Sequence, residues 1–418
     1  MAKEANVYTV AKKNGKKKWG PADFLLELLG DPKTASVCLF DIPYKGGATY
    51  YSLRRMEEYL TQGRGVLRLT CNADGALTGT LHYRELNAPI ALPGLPELFA
   101  AQMPKFQTIL VNNLVGWTLP ETYRKKVSPV GEGRARWIPA ITKQIIRLTD
   151  FWKARLEFVM HDFLPVCPNF ILLNDEEQMR YCGVPDPDGC AVCLDQPFMR
   201  ASLGPSFAIS AWRASWDVLL RRADAIICPS SSCRDILLQA FSPAGKSIRI
   251  VPHAPLAPPC APISLPSGDT AMHIAVVGWI TVPKGARLVQ NLALLLRERN
   301  SRARLTLVGT LAAPDIQLPD DVFITGPYDK ERLRDVLQNL GVTIGLIASV
   351  WPETYHYVTQ ELMNLGLPLV CFDLGAPAER IRAWEHGMVA REISAQGALD
   401  ALEMLDMRRG SVNESVPP

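Results

Sequence analysis

Trp351-Pro-Glu-Thr-Tyr-His-Tyr-Val-Thr-Gln-Glu361, running on into Leu362-Met-Asn-Leu-Gly-Leu-Pro-Leu-Val-Cys371, reads as a helix and then a strand. A helix over 355–365 is closed by Gly366 and Pro368, the two residues least able to continue it. The apolar run 368–372 that follows has strand length. The same alternation extends upstream. His273-Ile-Ala-Val-Val-Gly278 is a buried strand, and further strands are predicted at 304–308, 322–324 and 342–347. Helices fall between and after them at 285–298, 330–339 and 377–384. Strands alternating with helices make a parallel sheet covered on both faces.

The first half repeats the scheme. Val37-Cys-Leu-Phe-Asp-Ile42 is a short apolar run bounded by Pro43 and Gly46-Gly47. A helix from 48 to 62, with Tyr51, Met56, Tyr59 and Leu60 on one face, leads to a strand at 66–70, which makes a βαβ unit. Strands follow at 108–111, 158–160 and 225–229. A helix lies near 206–221, and another starts near Cys233 with Ser230, Ser231 or Ser232 as its cap. Residues 252–268 hold six prolines and no charge, the composition of a linker. The expected organisation is an N-terminal Rossmann-like domain over 1–252 with an irregular insertion at 163–197. A linker at 253–269, a second Rossmann-like domain at 270–408 and a polar tail at 409–418 follow.

At 418 residues and 48% hydrophobic content, the chain is neither disordered nor fibrous. No apolar run reaches membrane-spanning length, and the N-terminus lacks the apolar stretch of a secretory signal. A cytoplasmic protein with reduced thiols is expected. Charge is uneven: residues 1–160 carry 23 Lys and Arg against 14 Asp and Glu, although the whole chain is only +3. One basic cluster is Lys12, Lys13, Lys16, Lys17 and Lys18 beside Trp19. Another runs from Arg124 to Arg155 and interleaves Lys125, Lys126, Arg134, Arg136, Lys143, Arg147 and Lys153 with Trp137, Ile141, Ile145, Ile146 and Trp152. That mixture suits an anionic membrane surface or a phosphate-bearing substrate, and equally a solvated face over an amphipathic core helix. Nucleic acid is not expected as a partner.

Glu353 sits just outside the 355–365 helix and Glu361 about two turns inside it. Eight residues at 100° leave the carboxylates 80° apart, so they do not stack. Both face a ligand lying along the helix N-terminus, whose N–H groups and partial positive charge suit a phosphate. Thr354 and Thr359 add hydroxyls. The bland alternative is a helix with one Glu in its first turn and one solvated.

With its surroundings, this segment resembles the E-x7-E motif of the retaining family-4 glycosyltransferases, which have the GT-B fold. Ala348–Glu353 matches the family's approach to the motif. Gln360-Glu-Leu-Met-Asn-Leu-Gly-Leu-Pro368 looks like its E-A-M-A-x-G-x-P run, with Leu362 and Asn364 in place of small residues. The resemblance implies that Glu353 touches the donor sugar and Glu361 the nucleotide ribose. Val277-Gly278-Trp-Ile-Thr-Val-Pro-Lys284-Gly285 looks like the family's strand-end segment facing the donor diphosphate. Lys284 is present and Trp279 replaces a frequent arginine. Tyr44-Lys-Gly46-Gly47-Ala48 resembles the glycine-rich loop near the acceptor and donor phosphate. His161-Asp162, after a strand, matches a histidine placed near the donor sugar's hydroxyls. A core histidine bonded to backbone is the alternative, and Asp162 would orient the ring or meet the acceptor.

Cys167, Cys182, Cys190 and Cys193 end in C-x2-C, a spacing that suits a structural zinc. An iron–sulfur cluster would take the same ligands, and chance thiols need none. A similar cysteine pattern occurs in a subset of bacterial polysaccharide glycosyltransferases. No nucleophile elbow, P-loop or dinucleotide fingerprint is present, and no obvious D-x-D motif stands out, so no catalytic metal is expected. The expected function is transfer of a sugar, with retained configuration, from a nucleotide-sugar to a glycan or lipid-linked acceptor, as in surface polysaccharide assembly. Such an enzyme would work in the cytoplasm at the inner face of the membrane. A related epimerase or phosphorylase and a non-catalytic nucleotide-sugar or glycan-binding protein are the alternatives.

Overall fold

The computed structural model describes residues 8–12, 15–19, 36–44, 46–72, 76–83, 86–92, 105–117, 138–174, 180–196, 203, 207–242, 248–256, 261–266 and 270–413. Of the basic clusters, Lys13 and everything from Arg124 to Trp137 lie outside the described residues. Two antiparallel strands, β1 (Tyr8–Lys12) and β2 (Gly15–Trp19), form a hairpin. The rest divides into two compact units. The first takes in 1–170, 184–228 and 237–249, and the second 171–183, 229–236 and 250–418.

In the first unit, β3 (Val37–Asp41), α1 (Gly47–Thr61) and β4 (Val66–Cys71) form the expected βαβ unit, with β3 and β4 parallel. Tyr51, Met56 and Tyr59 are buried, as the helical spacing requires. Two strands absent from the sequence reading follow, β5 (Leu77–Tyr83) and β6 (Leu86–Leu92), both antiparallel. Then come β7 (Thr108–Val111), α2 (Ile138–Trp152), β8 (Arg155–Val159), α3 (Pro187–Leu194), α4 (Ile209–Arg222), β9 (Ala225–Cys228), α5 (Ser231–Ala240), whose first turns are counted with the second unit, and β10 (Ile248–Ile250). The sheet order is β10-β9-β8-β7-β3-β4-β5-β6. Ile141, Ile145, Leu148 and Trp152 of α2 are buried, so the apolar side of this basic stretch is core. The strand expected at 158–160 is β8 and starts earlier, because Arg155 and Glu157 mask its alternation. Ser230 is the cap of α5, its hydroxyl accepting from the Cys233 N–H at 3.1 Å.

The second unit holds β11 (His273–Ile280), α6 (Ala286–Glu298), β12 (Arg304–Leu311), β13 (Phe323–Ile324), α7 (Leu333–Leu340), β14 (Ile344–Ile347), α8 (Tyr357–Asn364), β15 (Leu369–Phe372), α9 (Gly375–Arg382), β16 (Gly387–Ala390) and α10 (Ala395–Asn413). All its strand pairs are parallel, in the order β13-β12-β11-β14-β15-β16. Counted from β11 this is 3-2-1-4-5-6, the doubly wound Rossmann order. Alternate strand residues feed two cores. Ile274, Val276, Leu346 and Val370 pack against α6 and α10, and Ala275, Val277, Ile347 and Cys371 against α7, α8 and α9. β16 and α10 were not foreseen, and α10 runs through 409–413, where a polar tail was expected. No helix among the described residues is long and apolar enough to cross a membrane.

Candidate functional site

Strand order reverses between β11 and β14 in the second unit, and between β3 and β7 in the first. In such sheets the crevice at the carboxyl ends of the strands beside that reversal takes the ligand. Of the residues singled out by the sequence, Gly278 and Lys284 lie at and after the end of β11 and Glu353 and Glu361 after β14, while Gly46 and Gly47 follow β3 and His161 follows β8.

In the second unit β11 gives way to the loop 281–285, which lies against the end of β14. Gly285 N–H donates to the Val282 carbonyl at 2.9 Å and Val350 N–H to the Pro283 carbonyl at 3.1 Å. Gly285 has φ 92°, and a Cβ there would stand 2.1 Å from the Ala348 carbonyl oxygen. Only glycine permits this approach. Gly309, at φ 136°, packs against Gly278 in the same way, a Cβ falling 2.0 Å from the Gly278 carbonyl oxygen. Gly278 itself has φ 123°, and a Cβ there would lie 3.7 Å from Val358 Cγ2 of α8, an ordinary contact.

The docked loop delivers Lys284, with its Nζ 3.7 Å from Glu353 Oε1. The Glu353 side chain is only 9% exposed, and its Oε1 accepts from the Ser349 hydroxyl at 2.8 Å. Burial pushes this carboxyl up, but Lys284, His356 and hydrogen bonds from Ser349 and Trp351 outweigh it and hold the group below its ordinary value. His356 is neutral at pH 7, its own value pushed down to about 4 by burial and by Lys284 and Arg380 against the pull of Glu353. Lys284 is therefore the standing positive charge beside Glu353.

The turn carrying Glu353 is held from several sides. Tyr355 donates its hydroxyl to the His253 carbonyl at 2.5 Å, and the Ser230 hydroxyl donates to the Thr354 carbonyl at 2.9 Å. Arg380 of α9 donates to the carbonyls of Tyr355 and His356 and lies over the Tyr355 ring, 4.5 Å from its centroid. Neither Arg380 nor His356 was singled out by the sequence reading. Thr354 is buried.

The α8 N-terminus is less open than expected. His356 Nδ1 accepts from the Thr359 N–H at 3.2 Å and lies 2.8 Å from the Thr359 hydroxyl, so that end is capped by its own side chain. Glu361 follows on the second turn. Its Oε1 is buried without a hydrogen-bond partner among the described residues, and burial raises its proton affinity against the opposing Lys330. Such an oxygen costs about 1–3 kcal/mol unless a donor reaches it. A ligand hydroxyl is such a donor.

In the first unit Asp41, wholly buried at the end of β3, accepts from Ser52 at 2.6 Å, Arg68 at 2.7 Å and the Asn112 amide at 2.8 Å. That amide also donates to the Ala48 carbonyl at 3.1 Å, so Asn112 Oδ1 is left to accept from His161 Nε2, 2.8 Å away. The ring proton is thereby fixed on Nε2, with Nδ1 as the acceptor. Burial lowers His161 to about 3. Asp162 accepts from Asn113 at 2.7 Å and from the Leu164 N–H at 2.8 Å, yet burial raises it to about 6. Gly46 and Gly47 sit where β3 passes into α1. Gly46 is extended and a Cβ there meets nothing within 4 Å, so no close approach demands glycine at 46.

Among the described residues no three metal-ligating side chains are grouped around one point. Cys190 is buried beneath Arg213, whose Nη2 lies 3.4 Å from its sulfur and which also donates to the Val166 and Pro185 carbonyls. Helix α3 is secured by its Asp186 cap, which accepts from the Gly189 N–H at 2.8 Å, and by Arg213.

Comparison with known proteins bears on the same unit. Residues 271–405 match the family model described as Glycosyl transferases group 1. No curated protein matches the chain in sequence. Among solved structures the chain is similar to sucrose-phosphate synthase from Thermosynechococcus elongatus, at 14% identity and a TM-score of 0.54 over 90% of this chain and 94% of that one. It is also similar to Anabaena HepE in complex with UDP and glucose, at 12% identity and a TM-score of 0.48 over 90% and 94%. The synthase likeness shows the fold: two Rossmann-like sheets in one chain, the GT-B architecture.

Proposed function

We propose that the protein is a retaining glycosyltransferase that moves a sugar from a nucleotide-sugar to a glycan or lipid-linked acceptor. One observation supports the reading: the Lys284–Glu353 pair joins the loops after β11 and β14, where strand order reverses in the unit that matches a glycosyltransferase family, and Glu361 on the helix that follows keeps a buried oxygen without a partner among the described residues. In this reading Lys284 meets the donor diphosphate, Glu361 accepts from the ribose hydroxyls, and Glu353, held ionised, faces the donor sugar beside Thr354. His161 offers its Nδ1 to a sugar hydroxyl, and Gly46 and Gly47 border the acceptor side. Charge develops on the departing diphosphate, so catalysis rests on preorganised donors around it rather than on a protein nucleophile. The basic excess of residues 1–160 supports an anionic, lipid-linked acceptor used in the cytoplasm at the inner membrane face, in surface polysaccharide assembly.

The test is turnover of labelled nucleotide-sugars with and without glycan acceptors, with the product anomer read by proton NMR. The reading requires acceptor-dependent transfer with retained configuration, lost in Glu353→Ala. Conversion of the donor without acceptor would mark an epimerase, a requirement for free phosphate a phosphorylase, and binding without turnover a non-catalytic protein.

A further inference from the structure

His356 lies within the Glu353–Glu361 stretch without a role assigned to it above, yet it is the non-glycine residue of that stretch held at positive φ. Its φ of 66° is a conformation that costs a non-glycine residue about 1–2 kcal/mol. Arg380 holds it there through the two carbonyls it binds. The ring is almost completely buried, its side chain 7% exposed. Because Nδ1 accepts from the Thr359 N–H, the proton of the neutral ring is on Nε2. That N–H lies 3.9 Å from Glu353 Oε1, beyond hydrogen-bond reach. The same oxygen already accepts from Ser349, and Lys284 stands at 3.7 Å, also too far to bond. Two nitrogen donors thus converge on one carboxylate oxygen without bonding it, while the α8 N–H of Thr359 is occupied by the ring itself. An anionic oxygen entering here is met by side chains rather than by that N–H.

We propose that His356 is a second ligand of the donor diphosphate, donating through Nε2, and that it takes up one proton from solvent when the diphosphate binds. This rests on the donor-site reading above and adds a residue and a linked proton to it. The groups facing the ring are Glu353 from the loop after β14, Lys284 from the loop after β11 and Arg380 from α9. Without a diphosphate, burial and the two cations outweigh Glu353, and the ring is neutral. A single phosphate charge ~4 Å away at an effective dielectric of ~20 favours the protonated ring about a thousandfold. The fall from 6.5 to about 4 is a loss of proton affinity of roughly three hundredfold. The phosphate therefore reverses it. The proton stays on the ring throughout. When the sugar carbon–oxygen bond breaks, its electron pair remains on a diphosphate already neutralised by Lys284 and the imidazolium.

The experiment is calorimetric titration of UDP, GDP, ADP and dTDP into the full chain at pH 6.5, in buffers of different ionisation enthalpy. His356→Asn is run beside it, since asparagine tolerates positive φ and caps the helix but cannot titrate in this range. His356→Gly, which fits the same φ, replaces it if that variant does not fold. The proposal expects the wild type to take up at least half a proton more per nucleotide than the variant. It also expects wild-type Kd to rise severalfold more steeply than the variant's between pH 6 and 8. Taking the difference removes the titration of the nucleotide's own terminal phosphate. Equal uptake and equal pH slopes in the two proteins would overturn the role of His356 alone. No binding of any of the four nucleotides to folded wild type would overturn the donor-site reading and this inference together.

Discussion

Gly285→Ala tests whether the loop after β11 is seated as described. The perturbation is one methyl group. At φ 92° it imposes a left-handed conformation on alanine, a cost of about 1–2 kcal/mol. The methyl would also stand 2.1 Å from the Ala348 carbonyl oxygen and 2.8 Å from its Cβ, so backbone must move. Overpacking of this kind costs about 1–3 kcal/mol. Together these come to roughly 2–5 kcal/mol, and with about 2–4 °C lost per kcal/mol in a unit of this size the melting temperature should fall by roughly 4–20 °C. Gly46→Ala is the control, because its backbone is extended and its surroundings are open. Circular dichroism melts of the two variants and the wild type measure the difference. Relief of the clash carries Lys284 away from Glu353, so Gly285→Ala should also lose nucleotide affinity. A melting temperature within about a degree of wild type, with Gly46→Ala equally unaffected, would refute the packing of this loop against β14.

Three further outcomes are expected. Asp41→Ala strands the Arg68 guanidinium and frees Asn112 to rotate, and should cost about 3 kcal/mol by urea unfolding, the low end for a broken buried pair because Arg68 keeps some solvent. His161 and Asp162 pull stability in opposite directions. The depressed His161 contributes stability that is full above pH 6.5 and lost as pH falls towards about 3. The elevated Asp162 contributes stability that is full below its ordinary 3.8 and lost as pH rises through about 6. Between pH 4 and 6, His161→Gln should therefore gain stability relative to wild type as pH falls and Asp162→Asn should lose it, in chemical unfolding series; slopes unchanged from wild type would contradict the burial of both groups. Arg380→Met should loosen the turn at 355–356 and lower turnover at least tenfold with a smaller change in nucleotide Kd, whereas equal losses in both would show that it supports the whole unit.

How far the sequence discloses all this depends on where each signal resides. The central strands of the second sheet were readable because they are buried on both faces and appear as unbroken apolar runs, as at 273–277 and 369–372. β5 was missed because Leu77-Thr-Gly-Thr-Leu-His-Tyr83 alternates and carries a glycine and a histidine, a pattern that marks a half-covered antiparallel strand only once its partners are known. β16 is four residues long and only partly buried, too short to register. At the site, Glu353, Glu361 and Lys284 lie in local patterns. Arg380 acts on a turn more than twenty residues away in the chain, which no local reading reaches. His356 left one faint trace, since histidine is among the few non-glycine residues enriched at positive φ. The cysteine spacing gave no sign of the contact between Cys190 and Arg213, because that partner lies more than twenty residues on in the chain.

The central claim is that the crevice between β11 and β14 binds the nucleotide of a sugar donor. Calorimetric titration of UDP, GDP, ADP and dTDP into the wild type, Lys284→Ala and Glu361→Ala tests it most directly. The account predicts that one nucleotide binds the wild type and that each substitution weakens it about tenfold or more, the scale of one charge-assisted hydrogen bond. Folded wild-type protein that binds none of the four, or variants that bind as tightly as wild type, would contradict it.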